Sequence, residues 1–449
     1  MSETRQLASF IVGCRSADIP ADVRHEAHRA LVNIIGCALG GAAHPAVESA
    51  LRAFQPFSGP AVAAVIGRPE RLDPLHASLL NGISSHVLDY DDTTPKNYGH
   101  HSSPVASALL AYASANAVSG RDLVDAFVIG FEVSSRVGNS VYPAHYDVGW
   151  HITGTAGVFG AAAAVGRLLR LTEQQMIWAL GLAATQAAGL REMFGSMAKS
   201  FHPGRSAQNG YGAALLAQAG FTAGEHGLEG PRGFAAVLAS RSDLSKITGR
   251  LGVDFELRDN TYKPFPCGIV IHPTIDGCIQ LRDEQAIDPK TIAAVNLRVA
   301  PLVLDLCNQQ EITRGLQGKF SIYHAAAIGL VRGRAGLGEF TDDAVNDPDI
   351  VRVRSITAAV ADASVTEDQA DIEVELRDGR RLTKWVEASL GNVKRPMSDA
   401  QLEAKFREQA ALVLAPAAVD ALINRLWAID DMPDSRQVID LTVPATVNT

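Results

Sequence analysis

Cysteine is scarce and ungrouped in this chain. Cys14, Cys37, Cys267, Cys278 and Cys307 are scattered over 449 residues, with no CxxC and no Cys/His spacing suited to zinc. An odd count without a disulfide framework predicts reduced thiols in a cytoplasmic protein. The N-terminus, MSETRQLASFIVGCRSADIP, lacks a basic segment followed by an apolar block, so no signal peptide is expected. No run approaches about 18 uninterrupted strongly apolar residues, so no membrane span is expected. Positive charge is in deficit. The formal net charge of −9 argues against nucleic acid as a partner, and an anionic substrate would need a locally basic pocket. A P-loop, a GxSxG elbow, a metal-ligand cluster, internal repeats and low-complexity segments are all missing. GVFGAAAAVG has glycines but no preceding strand, so it does not read as a nucleotide loop.

What is present is a long, Ala- and Gly-rich chain with 47% hydrophobic residues, enough for two cores. Periodicity and caps predict helices over 4–18, 22–43 and 45–54. Asp73-Pro74 reads as a cap and first-turn proline opening a helix from Leu75 to Leu88. Ser103-Pro104 reads the same way for a helix over 104–117. Further helices are expected over 121–139, where Glu132 and Arg136 are spaced for an i,i+4 pair, and over 173–189 and 206–219. The Gly/Ala segment after His151 predicts a central helix that lets other backbones approach closely. Beyond Lys263 the pattern changes. A helix near 273–283 is followed by strand alternation in AAVNLRVAP (293–301), a helix over 319–334, and a hairpin in 371–387 turning at Asp378-Gly379. Residues 399–412 and 416–427 return to helix. The expected fold is mostly α: a large all-helical domain (1–267 and 396–449) plus a smaller α+β lid domain (268–395).

Chemistry concentrates in a few loops. HVLDYDDTTPKNYGHHSSP, residues 86–104, packs Asp89, Asp91, Asp92, His86, His100 and His101 between apolar helices. A second loop carries Tyr142, His145, Tyr146 and His151. In a third, Lys199, His202 and Arg205 fall within seven residues ahead of a helix, the wrong end of the dipole for cations, so they are expected to face an acid. His, Lys, Asp and Tyr without an electron sink suit proton transfer at carbon beside a carboxylate, with cations holding the developing enolate-like charge.

HVLDYDDTTPKNYGHHSS, GWHITGTAGVFGAAAA, MAKSFHPGRSAQNG and KPFPCGIVIHP resemble, in order and spacing, the motifs of the MmgE/PrpD family, over about residues 5–430. That family includes 2-methylcitrate dehydratase, cis-aconitate decarboxylase and iminodisuccinate epimerase. The resemblance implies a helical domain, an α+β lid, a homodimer and no required cofactor. Residue by residue it carries over Asp89, Thr93, His100, His151, Lys199, Lys263 and Tyr323. Where the family has a proline after its motif histidine, this chain has His101, so either imidazole qualifies. Decarboxylase members place a histidine two residues after the FP pair, whereas this chain has Cys267-Gly268 there and its next histidine is His272. These readings assign catalysis to His151, Lys199, His100, Asp89 and Tyr323, and substrate binding to Thr93, His202, Arg205, Lys263, His272 and Tyr146, with no metal. His100 is expected to be an acid positioned by Asp89. The expected activity is that of a cofactor-independent lyase of dehydratase type acting on a small di- or tricarboxylate. The alternatives are epimerisation of an iminodisuccinate-type amino acid, decarboxylation, or binding without catalysis.

Overall fold

The computed structural model describes residues 1–444; the last positions of the expected helical domain, 445–449, lie outside them. Helix accounts for 59% of the chain and strand for 8%, which makes the fold mostly α with a smaller α+β part. Buried apolar side chains form two clusters. One draws on residues between Leu7 and Tyr262 and again between Met397 and Ile439. The other lies between Cys267 and Val386. Among the described residues no single helix is long and apolar enough to cross a membrane.

The helix Ile152–Leu168 is the axis of the larger body, with every residue from Ile152 to Gly166 buried. Its small residues cause this. A Cβ at Gly160 would lie 2.6 Å from the Gly130 carbonyl oxygen, so the helix Gly120–Val141 packs backbone to backbone against it. A larger side chain there would force the helices apart, at about 1–3 kcal/mol or more. The same device sets the site. A Cβ at Gly82 would lie 2.4 Å from the Gly204 Cα, so the helix Pro74–His86 crosses Ala198–Gln218 at glycine contact. Asp73 caps the first of these through the Leu75 and His76 amides, as the sequence predicts, and its far end delivers the acidic loop at Lys199.

The smaller part carries a four-stranded sheet in the order Thr357–Ala361, Ile292–Val299, Ala370–Leu376, Arg381–Val386. The first pair is parallel and the others antiparallel. Ala370–Leu376 alternates buried and half-buried positions, and its buried face packs on the helices His272–Gln285 and Ile322–Arg332. The hairpin turns with Gly379 at φ +86°, a left-handed conformation that glycine adopts without strain.

Two expectations are corrected, and one strand is added. Ser103 is not a cap: the helix begins at Ser102, and Ser103 Oγ instead meets Ser85 Oγ at 2.8 Å. Proline is tolerated anywhere in a first turn, where amides lack helical partners, so Pro104 does not mark the first residue. The helix expected over 206–219 starts at Ala198 and contains Pro203, which removes only one hydrogen bond from its second turn. The strand Thr357–Ala361 went unrecognised because its exposed edge position leaves TAAVA without alternation.

Candidate active site

The acidic loop is shaped by Asp89, which sits at φ +52°, a left-handed conformation costly for a residue with a Cβ. Thr93 and Thr261 exchange backbone hydrogen bonds at 2.9 and 3.2 Å, tying the loop to the strand-like segment that leads into Lys263. Asp89 Oδ1 accepts from Lys199 Nζ and from Lys263 Nζ, both at 2.7 Å. All three side chains are buried. Burial by itself would raise the Asp89 carboxyl, but Lys199, Lys263 and the neighbouring imidazoles outweigh it and hold it well below the carboxylate range. Burial pulls the Lys199 ammonium below the usual lysine value; Asp89 opposes this and Lys263 adds to it. Its Nζ lies 5.0 Å from the ring centres of both Phe194 and Phe320.

Asp91, not Asp89, orients His100. Asp91 Oδ2 lies 3.2 Å from His100 Nδ1 and 2.8 Å from His86 Nδ1, while Asp89 Oδ1 is 3.9 Å from His100 Nε2. Thr93 Oγ1 also approaches His100 Nδ1, at 3.3 Å. An Nδ1–H donated to Asp91 leaves Nε2 of His100 as an acceptor. The expectation that a carboxylate keeps His100 protonated is also corrected. Burial outweighs Asp91 and pushes His100 down to about 4. His86, Asp91 and His100 have ligand-type atoms within 4.8 Å of one another, but their N···O separations are those of hydrogen bonds. His101 is not the site histidine. Its ring spans Ser134 Oγ (2.7 Å) and Asn97 Oδ1 (3.1 Å) in the core.

His151 precedes the central helix and donates its backbone N–H to the Gly189 carbonyl. Its Nδ1 lies 2.9 Å from Nδ1 of His202. Burial, then His202, His86, Lys199 and His100, push it well below the ordinary imidazole value.

These groups meet at a partly open cavity of about 40 Å³. Asp89, Thr93, His100, Tyr146, His151, Lys199 and Lys263 line it, so seven of the eleven residues expected from sequence converge there. Tyr98, Phe194, Gly268, Ile269, Val270, Leu306, Cys307 and Phe320 complete the wall, most of them from the smaller part of the chain. Four expected residues are elsewhere. His202 stands behind His151. Arg205 is exposed and bonds Gln208, because six positions along a helix turn it well away from Lys199. His272 lines a neighbouring hollow of about 180 Å³ with Glu367 and Asp368, its Nε2 3.4 Å from the Cys267 carbonyl. Tyr323 is buried with its hydroxyl donating to Asn308 Oδ1 at 2.6 Å.

Two buried lysines were not foreseen. Lys319 Nζ donates to the Leu88 and Pro266 carbonyls, both at 2.6 Å. Lys405, on the late helix Asp399–Ala410, donates to the Tyr90 and Lys263 carbonyls at 2.6 and 2.9 Å. Burial lowers each to about 8. No local motif marks either one. The HVLDYD spacing could have flagged His86 and Asp91. Four lysines thus surround Asp89 and Asp91, making a cationic interior in an acidic protein. Neutral imidazoles and ammonium groups lining one cavity suit removal of a proton from carbon with the resulting charge held electrostatically.

The MmgE/PrpD N-terminal domain family matches residues 5–246 and the MmgE/PrpD C-terminal domain family residues 265–429. Among curated proteins, a cis-aconitate decarboxylase of Aspergillus terreus is 26% identical over 98% of this chain and 95% of its own length. The cis-aconitate decarboxylase of Homo sapiens is 26% identical over 96% of this chain and 93% of its own. The 2-methylcitrate dehydratase of Escherichia coli (strain K12) is 22% identical, covering 87% and 86%.

Proposed function

The chain belongs to the MmgE/PrpD family, an enzyme family, and on that premise we propose that it is a cofactor-independent lyase of the hydro-lyase type acting on a small hydroxylated di- or tricarboxylate. The observation that carries this reading is the pairing of Lys199 and Lys263 on one oxygen of Asp89, beside two unprotonated imidazoles in one cavity. The lysines give a polycarboxylate its counter-charge. His151 faces the cavity as a neutral base and takes the proton next to a substrate carboxylate. The enolate-like charge forms against the two ammonium groups, where a low-dielectric site makes it far cheaper than in water. His100 accepts from the substrate hydroxyl and orients it. Lys199, its proton loosened by burial, still has a proton to give the departing hydroxide, whereas an imidazole pushed to about 4 holds none. The cavity, about 40 Å³, opens toward solvent beside residues 268–270, 306–307 and 320, which are the wall a bound carboxylate would have to displace.

The relatives named as decarboxylases make loss of CO2 the reading to be tested against. The motif resemblance puts Gly268 where decarboxylase members carry a histidine, so this chain lacks that imidazole, and a Cβ there would lie 3.1 Å from Cys307 Sγ, which would have to give by a few tenths of an ångström. Purified protein is incubated with citrate-like hydroxyacids and with cis-aconitate, following alkene absorbance, CO2 release and α-hydrogen exchange in D2O. Alkene formation from a hydroxyacid is expected. Exchange without alkene or CO2 would replace the lyase reading with an epimerase, and CO2 release from cis-aconitate would replace it with a decarboxylase.

A further inference from the structure

A pair of imidazoles runs from the cavity wall to a partly exposed side chain. His151 is buried, and its Nδ1 is 2.9 Å from Nδ1 of His202. Two nitrogens at that distance share one proton, so one ring donates and the other accepts. His202 is only partly buried, while His86, His100 and His151 are buried. Neither Nε2 of the pair is among the buried unpartnered atoms and neither makes a hydrogen bond. His151 lines the cavity and His202, partly exposed, does not.

The backbone is built to hold this arrangement. A Cβ at Gly189 would lie 3.2 Å from the His202 ring, and Gly189 sits at φ +133°, where a side chain is strained. The carbonyl of the same glycine fixes the His151 backbone N–H at 3.0 Å. A Cβ at Gly154 would lie 2.4 Å from the Ala188 carbonyl oxygen and 3.2 Å from His202 Cβ. Glycine at both positions therefore lets the two rings meet.

We propose that His202 is the proton relay of the site: it fixes His151 with its proton on Nδ1 and passes protons between His151 and water. This rests on the reading of His151 as base. As His151 Nε2 gains the substrate proton, its Nδ1 proton moves to His202 Nδ1, and His202 releases its own Nε2 proton to water. The reverse sequence resets the site. Water protonates His202 Nε2, the Nδ1 proton returns to His151, and His151 Nε2 delivers its proton to the spent acid. One proton leaves and one enters per turnover, and no electron changes hands. The charged and titratable groups around the pair are His86, His100 and Lys199, which oppose a lasting positive charge on it and favour its passage outward.

The test compares the parent with His202→Gln, which keeps a hydrogen-bonding group but relays nothing, and with His202→Ala. For either variant kcat should fall about a hundredfold or more with KM nearly unchanged, which is the lower end of what a proton-transfer group supplies. Added imidazole should restore His202→Ala, and turnover of His202→Gln should become dependent on buffer concentration. A variant with parental kcat, or one whose loss lies in KM and ignores imidazole, overturns the proposal. In the resting parent, nitrogen-15 spectra of labelled histidine should show His151 protonated on Nδ1 and His202 on Nε2. Two rings both protonated on Nε2 would overturn the relay even if no substrate were ever found. Failure of the parent to act on any acid would instead reject the assigned function and leave those spectra to decide the pair.

Discussion

Replacing Asp89 by asparagine removes one negative charge and almost nothing else. Asparagine has the same shape and adopts a left-handed backbone more readily than most residues, so the φ of +52° is retained. What changes is the environment of two ammonium groups. Lys199 and Lys263 each reach Asp89 Oδ1 at 2.7 Å with side chains 9% and 2% exposed, and both lose their counter-charge together. Removing one partner of a buried ion pair costs about 3–5 kcal/mol, because the charge left behind has neither water nor partner. We expect a loss of that size in denaturant-midpoint measurements at pH 7. The loss should be partly recovered when Lys263→Met is added, since the second change removes one of the stranded charges. Asp89→Ala should cost about 1 kcal/mol more, for the left-handed backbone. The sign with pH follows from the depressed carboxyl. An ionised Asp89 stabilises fully above its unfolded value near 3.8 and loses this as pH falls below it, so the gap between parent and Asp89→Asn should stay flat from pH 8 to about 5. A variant within 1 kcal/mol of the parent would refute the view that this carboxylate holds the lysines in place.

Other consequences are simpler to check. Asp91→Asn should lower kcat by about two to four orders of magnitude with little effect on KM, because an amide offers one oxygen and no charge to the two imidazoles, His86 and His100, that Asp91 orients; turnover assays with an active hydroxyacid decide it. Arg205→Ala should leave turnover and stability within about 0.5 kcal/mol of the parent, since that side chain is exposed and outside the cavity. Stability should fall as pH drops from 6.5 towards 4, because His100, His145, His202 and His324 are each pushed to about 4 and the unfolded chain binds those protons first. Acid titration followed by circular dichroism tests this. All five cysteines are buried, and burial raises their thiol pKa, so iodoacetamide should label them only after denaturation.

Much of the local architecture was written in short-range patterns. Asp73-Pro74, the Gly/Ala run after His151 and the Asp378-Gly379 turn each name their own structure, because caps, close helix contacts and left-handed turns depend on the residue at hand. The motif loops likewise announced Asp89, His100, His151, Lys199 and Lys263. Which of their neighbours share the cavity was a matter of tertiary direction. Arg205 is six residues from Lys199 and faces solvent, while Lys405 comes from a helix more than three hundred residues beyond Tyr90 and is buried beneath the same loop. The choice between Asp89 and Asp91 as partner of His100 depended on a left-handed backbone turn, which no pattern of residue types reveals. The protonation states were furthest from view. Adjacent carboxylates in the chain suggest charged imidazoles, but the packed interior makes burial the largest influence and leaves His100 and His151 neutral. Residue types and spacing therefore determined which chemical groups were available. Only the folded interior decided which groups meet and which carry charge, because desolvation and direction arise from packing between segments far apart in the chain.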